Sequence, residues 1–152
     1  MKSVLLILLA ALLFSCAGGG AYRRGSNNDS TDILNSVARK WLNTPYRYGG
    51  SSHSGIDCSS LTQNIYMEAY RFQLPRTSEE QYKQGKPVRL NWIRAGDLIF
   101  FKRNRNGKMD HVGVYLGNGK FIHATRQKGV IISDLNSSYY KERLVGLRRY
   151  LR

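Results

Sequence analysis

The stretch Asp110-His111-Val112-Gly113-Val114-Tyr115-Leu116-Gly117-Asn118-Gly119-Lys120-Phe121-Ile122-His123 decides the fold. β-Branched and aromatic residues flank a Gly-Asn-Gly break, the pattern of two strands joined by a tight turn. The number of residues in the turn sets which side chains share a face. A two-residue Asn118-Gly119 loop pairs Gly117 with Lys120 and sets His123 opposite Val114, sending His111 and His123 to opposite faces. A three-residue Gly117-Asn118-Gly119 loop pairs Leu116 with Lys120 and sets His123 opposite Gly113. The histidines are then diagonal neighbours, roughly 7 Å apart at the backbone. Gly119 suits the left-handed position of such a loop, and Gly113 leaves room for a ring to lie across its strand. Any joint role for the two histidines therefore predicts the three-residue register.

Outward from this hairpin the strand period holds over Leu98 to Lys102, Gly129 to Ser133 and Leu144 to Tyr150, separated by Gly, Asn and Asp. Upstream the period is helical. Ile33, Leu34, Val37, Ala38, Trp41 and Leu42 recur behind a Ser30/Asp32 start signal and stop at Asn43-Thr44-Pro45. A Gly- and Ser-rich loop from Tyr46 to Ile56 leads to Asp57, a natural N-cap for a second helix through Leu61, Ile65, Ala69 and Phe72. Thr77-Ser78-Glu79-Glu80 matches a capping box for a short third helix ending near Gly85. Helices first and strands later predict an α+β domain, with N-terminal helices packed on one face of a five- to six-stranded antiparallel sheet.

The chain opens Met1-Lys2-Ser3 and runs almost wholly apolar from Val4 to Phe14 before Ser15-Cys16. This pattern reads as a signal peptide over residues 1–15, since the apolar run is about half the roughly 20 residues needed to span a bilayer. Leu13-Phe14-Ser15-Cys16 resembles a bacterial lipobox. That resemblance implies an acylated Cys16 and attachment to a membrane, each buried CH₂ contributing about 0.8 kcal/mol. Residues 16–30, rich in Gly, Ser and Asn, read as a flexible tether, leaving 31–152 as one domain. No acidic residue follows Cys16 closely, which argues against inner-membrane retention of the aspartate type. The expected location is the bacterial cell envelope, on the outer membrane facing the periplasm.

The formal net charge of +14 favours polyanionic partners. Nucleic acid is the usual partner for such a balance, but an exported chain meets wall polymer and lipid headgroups instead, so no nucleic acid is expected. The basic residues are scattered (Arg23-Arg24, Lys102-Arg103, Arg148-Arg149) and form no single stripe.

With Cys16 lipidated, Cys58 is an unpaired thiol in a compartment where cysteines are usually bridged. A Cys at the first turn of a helix gains thiolate character from free backbone N–H groups and the helix dipole, and the same N–H groups can stabilise an oxyanion. The bland alternative is an inert buried thiol. A base and an orienting group complete such a nucleophile, and His111 and His123 are the candidates. His53, in the loop before Cys58, reads as a surface residue. No cofactor motif is present, and one free thiol with two strand histidines does not make a zinc set. A monomer is expected.

The segments Thr44-Pro45-Tyr46-Arg47-Tyr48-Gly49-Gly50, Gly55-Ile56-Asp57-Cys58-Ser59-Ser60, Arg94-Ala95-Gly96-Asp97-Leu98 and Asp110-His111-Val112-Gly113-Val114-Tyr115 resemble, in order, the NlpC-type family of cell-wall cysteine peptidases, and within it the Spr-type murein endopeptidase lipoproteins. The similarity runs from about Ile33 to Tyr150. It implies a papain-like fold with Cys58 as nucleophile, His111 as base and later acid, and His123 orienting His111. Tyr46 aligns with a tyrosine implied to line the site near the oxyanion, whereas Asp57 and Asp97 look structural. The reaction implied is cleavage of amide bonds in peptidoglycan stem peptides or their cross-links through an acyl-enzyme. An acyl- or amide-transferring enzyme of the same clan and a non-catalytic wall-binding lipoprotein are the competing readings.

Overall fold

The computed structural model describes residues 27–103 and 107–151. The leader, Cys16 and the tether as far as residue 26 lie outside the described residues. Helix α1 (Asn27–Lys40) opens ahead of the expected Ser30/Asp32 start, so residues 27–30 are helical where a tether was expected. Leu34, Val37, Ala38 and, just beyond, Trp41 are buried, while Ile33 is half exposed. The Trp41 indole N–H donates to Glu68 Oε1 (3.0 Å), tying this helix to the next.

The loop after α1 carries a two-stranded ribbon, β1 (Ser51–Ser52) and β2 (Gly55–Ile56). Helix α2 (Cys58–Tyr70) starts behind its Asp57 N-cap and stops at Arg71 in the left-handed conformation. Helix α3 (Ser78–Gln84) has the expected capping box, Thr77 bonded to the Glu80 N–H and Glu80 reaching back to the Thr77 N–H. The sheet is six-stranded and antiparallel, in the order β3-β8-β4-β5-β6-β7. Its strands are β3 (Lys86–Val88), β4 (Leu98–Lys102), β5 (Met109–Gly117), β6 (Lys120–Thr125), β7 (Gly129–Asp134) and β8 (Leu144–Arg149). A 3₁₀ turn (Leu90–Trp92) follows β3, and a one-turn helix α4 (Ser138–Lys141) precedes β8.

The two sheet faces are unequal. Leu98, Phe100, Val112, Val114, Ile122, Ala124 and Val130 pack against the helices in the main core. The alternate residues Ile99, Phe101, Tyr115, Phe121 and Leu147 form a smaller cluster on the other face, closed by Leu135 and Tyr140. At the β4 start, Asp97 accepts from the Arg94 N–H (2.8 Å) and both its oxygens accept from Arg149 (2.7 Å each), the structural role read for it.

The decisive hairpin is neither of the two simple loops. Gly117 pairs with Lys120 across Asn118-Gly119, as a two-residue turn requires, but the next pair is Tyr115 with Phe121, so Leu116 is a bulge. Positive φ at Gly117 (98°), Asn118 (51°) and Gly119 (74°) makes both the turn and the bulge feasible. The extra residue restores the register expected of the three-residue loop: Val114 faces Ile122, and the same spacing brings Gly113 to His123. The expectation about faces holds, and the expectation about the loop is corrected.

Candidate active site

By strand alternation His111 and His123 belong to the smaller face, with Phe101 and Phe121, whereas Cys58 belongs to the main core on the helix side. Side chains on opposite faces of a continuous sheet do not meet. Here the β5–β6 ladder ends at Val114–Ile122, although β5 runs back to Met109 and β6 on to Thr125. The strands part, and the thiol enters the fork. Its Sγ lies 4.0 Å from the Asp110 carbonyl, beside the backbone of β5. Cys58, His111 and His123 then line one cavity together with Tyr46, Phe101 and Tyr140.

On the Cys58 side the order is ionic. Asp57 Oδ1 accepts from the Ser60 N–H (2.8 Å) and the Ser59 hydroxyl (3.1 Å), and Oδ2 accepts from the Gly49 N–H (3.1 Å) and pairs with Arg76 (2.7 Å). One carboxylate thus caps the helix and holds the Gly49-Gly50 loop beside it. Burial alone would raise its pKa. The Arg76 and Ser60 hydrogen bonds outweigh that and hold the carboxyl below its usual range. Asp57 uses the Ser60 N–H, while the Cys58 and Ser59 N–H groups at the helix start favour the thiolate against the effect of burial.

Those N–H groups do not make Cys58 a resting thiolate, as a helix-start position by itself implies. Burial of the thiol dominates and pushes its pKa above the ordinary 9.0, with Asp57 adding repulsion. Burial likewise pushes His111 below 6.5, and His123 below it too, the neighbouring His111 adding to the effect. Burial thus works against the charged form of the thiol and of both imidazoles.

His111 Nε2 and His123 Nδ1 are 2.8 Å apart, their rings at 70°. Gly113 permits this approach, since a Cβ there would stand 2.7 Å from the Ile122 carbonyl and 3.1 Å from the His123 Cβ. Tyr46 is half buried, bridges to Ile56, and has the Arg126 guanidinium 5.9 Å from its ring centroid. It both packs behind the loop and lines the cavity. His53 is exposed and stacks on Trp41 (3.9 Å), outside the cavity lining. Lys102, Arg103, Arg126 and Arg143 also line the cavity against one carboxylate, Asp110, which pairs with Arg103 (2.9 Å).

Sequence reading missed Ser133 and Tyr140. The Ser133 hydroxyl lies 2.8 Å from His123 Nε2, and the Tyr140 hydroxyl 3.3 Å from the same nitrogen. The signal for Ser133 was its strand, but Phe121–Ser133 pairing depends on the length of the Arg126–Lys128 turn. Nothing in the residue pattern marked α4.

A cysteine at a helix start and two hydrogen-bonded histidines, gathered at the open end of an antiparallel sheet, define the class of an α+β protein with a thiol-imidazole site. Residues 43–149 match the NlpC/P60 family, and the chain belongs to it. It is 43% identical over 111 residues to the "Murein DD-endopeptidase MepS/Murein LD-carboxypeptidase" of Escherichia coli K12, a match covering 73% of this chain and 58% of that protein. A "Probable endopeptidase" of Haemophilus influenzae is 39% identical over 117 residues, covering 77% of this chain and 73% of its own length. Among solved structures, an NlpC/P60 family protein from Bacillus cereus superposes with a TM-score of 0.73 at 36% identity, over 80% of this chain and 40% of that one. The chain thus spans little more than half the length of the E. coli relative.

Proposed function

We propose that this protein is a peptidoglycan endopeptidase that hydrolyses amide bonds in stem peptides or their cross-links, with Cys58 as nucleophile, His111 as base and then acid, and His123 orienting His111. The observation that carries this reading is the 2.8 Å contact between His111 and His123 over the fork that receives Cys58. With Nε2 of His111 occupied by His123, Nδ1 is the ring nitrogen left to take the thiol proton. The raised thiol and depressed imidazole make this a transfer concerted with attack. Sγ bonds to the scissile carbonyl carbon, the oxyanion forms near the Cys58 and Ser59 N–H groups and Tyr46, and the proton passes from His111 to the leaving amine as the C–N bond breaks. Water, deprotonated by His111, then releases the acid from the thioester. The basic cavity rim suits substrates bearing free carboxylates, which stem peptides carry.

Digestion of purified muropeptides, with products identified by mass, tests this. The wild-type protein should release fragments cut at one amide bond, and Cys58→Ala should lower the rate by about 10⁴-fold or more. Equal cleavage by both proteins removes the proposal, and products joined to an added amine would make the enzyme a transferase. Residues 1–16 carry a second part of the reading, that the protein is held in the cell envelope by lipid on Cys16, on the outer membrane facing the periplasm. The mass of the mature N-terminal peptide should show acyl chains on Cys16, and an unmodified Met1 terminus in exporting cells would remove that part.

A further inference from the structure

We propose that the Ser133 and Tyr140 hydroxyls are positioning residues for His123, choosing which edge and which tautomer of its ring faces His111. The proposal rests on the thiol-imidazole reading of the site and extends its hydrogen-bonded chain by two members. Ser133 Oγ stands 2.8 Å from His123 Nε2, Tyr140 Oη 3.3 Å from it, and the two hydroxyls are 3.2 Å apart. The arrangement is built by two separate elements. Register places Ser133 opposite Phe121 and Ile131 opposite His123, so Ser133 is the diagonal neighbour of His123 on the same face. Tyr140, on α4, is fixed edge-on against Phe121 (4.9 Å, 88°) and against the His123 ring itself (5.5 Å, 86°).

The proton inventory gives these contacts a consequence. For His111 to accept from the thiol at Nδ1, its own proton must sit on Nε2 and be donated to His123 Nδ1. Neutral His123 then carries its proton on Nε2, and that N–H needs an acceptor, because His123 is 1% exposed. Ser133 Oγ accepts it and can pass its own hydrogen to Tyr140 Oη, so that the N–H groups of both histidines and the Ser133 hydroxyl are all partnered. Remove both hydroxyls and the His123 N–H is buried alone. The pair is then relieved by moving both protons to the Nδ1 positions or by turning the His123 ring over. The first places an N–H of His111 toward the thiol, and the second places a carbon against His111. The first leaves Cys58 without a base, and the second strips the His111 Nε2–H of the acceptor that holds its ring and tautomer in place.

The test uses the full protein labelled with ¹⁵N-histidine, in which only His53, His111 and His123 give imidazole signals, together with muropeptide kinetics. In the wild type both His111 and His123 should appear as Nε2–H tautomers at neutral pH. Ser133→Ala should lower kcat roughly tenfold, and Ser133→Ala with Tyr140→Phe roughly a hundredfold, with KM within about twofold, as loss of one and then two buried hydrogen bonds requires. The double variant should show a new Nδ1–H signal or a lost His111–His123 coupling, while Ser133→Thr, which keeps the hydroxyl, should retain the wild-type spectrum. An unchanged imidazole spectrum in the double variant overturns the inference, as does an Nδ1–H tautomer of His111 in the wild type or a Ser133→Thr protein that behaves like Ser133→Ala. The spectra are read without turnover. Failure of the protein to cleave muropeptides would sink the proposed reaction, while an unaltered spectrum alongside normal cleavage would sink only the role of Ser133 and Tyr140.

Discussion

The two halves of the site are held by opposite kinds of force. The cysteine half is organised by charge: Asp57, buried at the head of α2, meets Arg76 and three hydrogen-bond donors, one of them the Gly49 N–H of the Gly49-Gly50 loop. The histidine half is organised by neutral hydrogen bonds in sequence, His111 to His123 to Ser133 and Tyr140, packed among Phe101 and Phe121. A carboxylate can anchor a backbone loop because the charge stays in one place throughout. Under the proposed mechanism His111 gains and loses a proton, and such a group is better served by partners that are neutral and can reverse direction. The fork between β5 and β6 is where these two regions meet.

The largest blow to this arrangement short of deleting a reacting group should come from Gly113→Ala. Its Cβ meets backbone, the Ile122 carbonyl, and the His123 Cβ, neither of which can swing aside. The rings should separate and kcat/KM fall by on the order of a hundredfold. A Gly113→Ala protein with wild-type turnover would show that the close approach of the histidines is dispensable.

Asp57→Ala should injure the other half. It removes the α2 cap and leaves Arg76 without its partner, and because Arg76 is nearly half exposed the loss should be about 2 kcal/mol of unfolding free energy. Urea denaturation measures it, and Asp57→Asn, which keeps an acceptor for the Ser60 N–H, should lose about half as much. Equal losses would assign the stabilisation to the ion pair instead of the cap.

The mildest effect is that of pH, because neither half titrates near neutrality. His111 and His123 are depressed by burial, so below about pH 6.5 the unfolded chain binds protons that the folded chain refuses, and stability falls as pH falls. Asp57 is also depressed, so its contribution is complete above its ordinary 3.8 and disappears only as pH drops below that. Thermal melts from pH 7 to 3 should therefore show two successive declines, histidine first. A His123→Gln protein should shrink the upper one, leaving the share due to His111, and leave the lower. A single decline confined to the carboxylate range would contradict the buried, neutral histidine pair.

Much of this was legible in the residues because it depends on neighbours in sequence. The Asp57 cap and the Thr77/Glu80 box are contacts over three residues, and they form as their spacing requires. Helical and strand periods likewise marked α1, α2 and five of the six sheet strands. β3 is three residues long and owes its pairing to β8, about sixty residues away, which is why no local signal announced it. The hairpin at Asn118-Gly119 shows the boundary most clearly. Its turn residues stated that the chain reverses, while the Leu116 bulge that sets the register is decided by packing Leu116 into the main core and Tyr115 on the other face.

By itself the sequence determined the α+β order and the helix-start position of Cys58, which follow from periodicity and capping, and it set the condition that a joint role for His111 and His123 requires one face. Only the tertiary structure decided that the thiol crosses to the histidines through parted strands, that burial works against the charged forms of thiol and imidazoles, and that Ser133 and Tyr140 close the chain. Those outcomes depend on where a ladder stops and how deeply side chains are buried, and both are set by contacts between segments far apart in the chain.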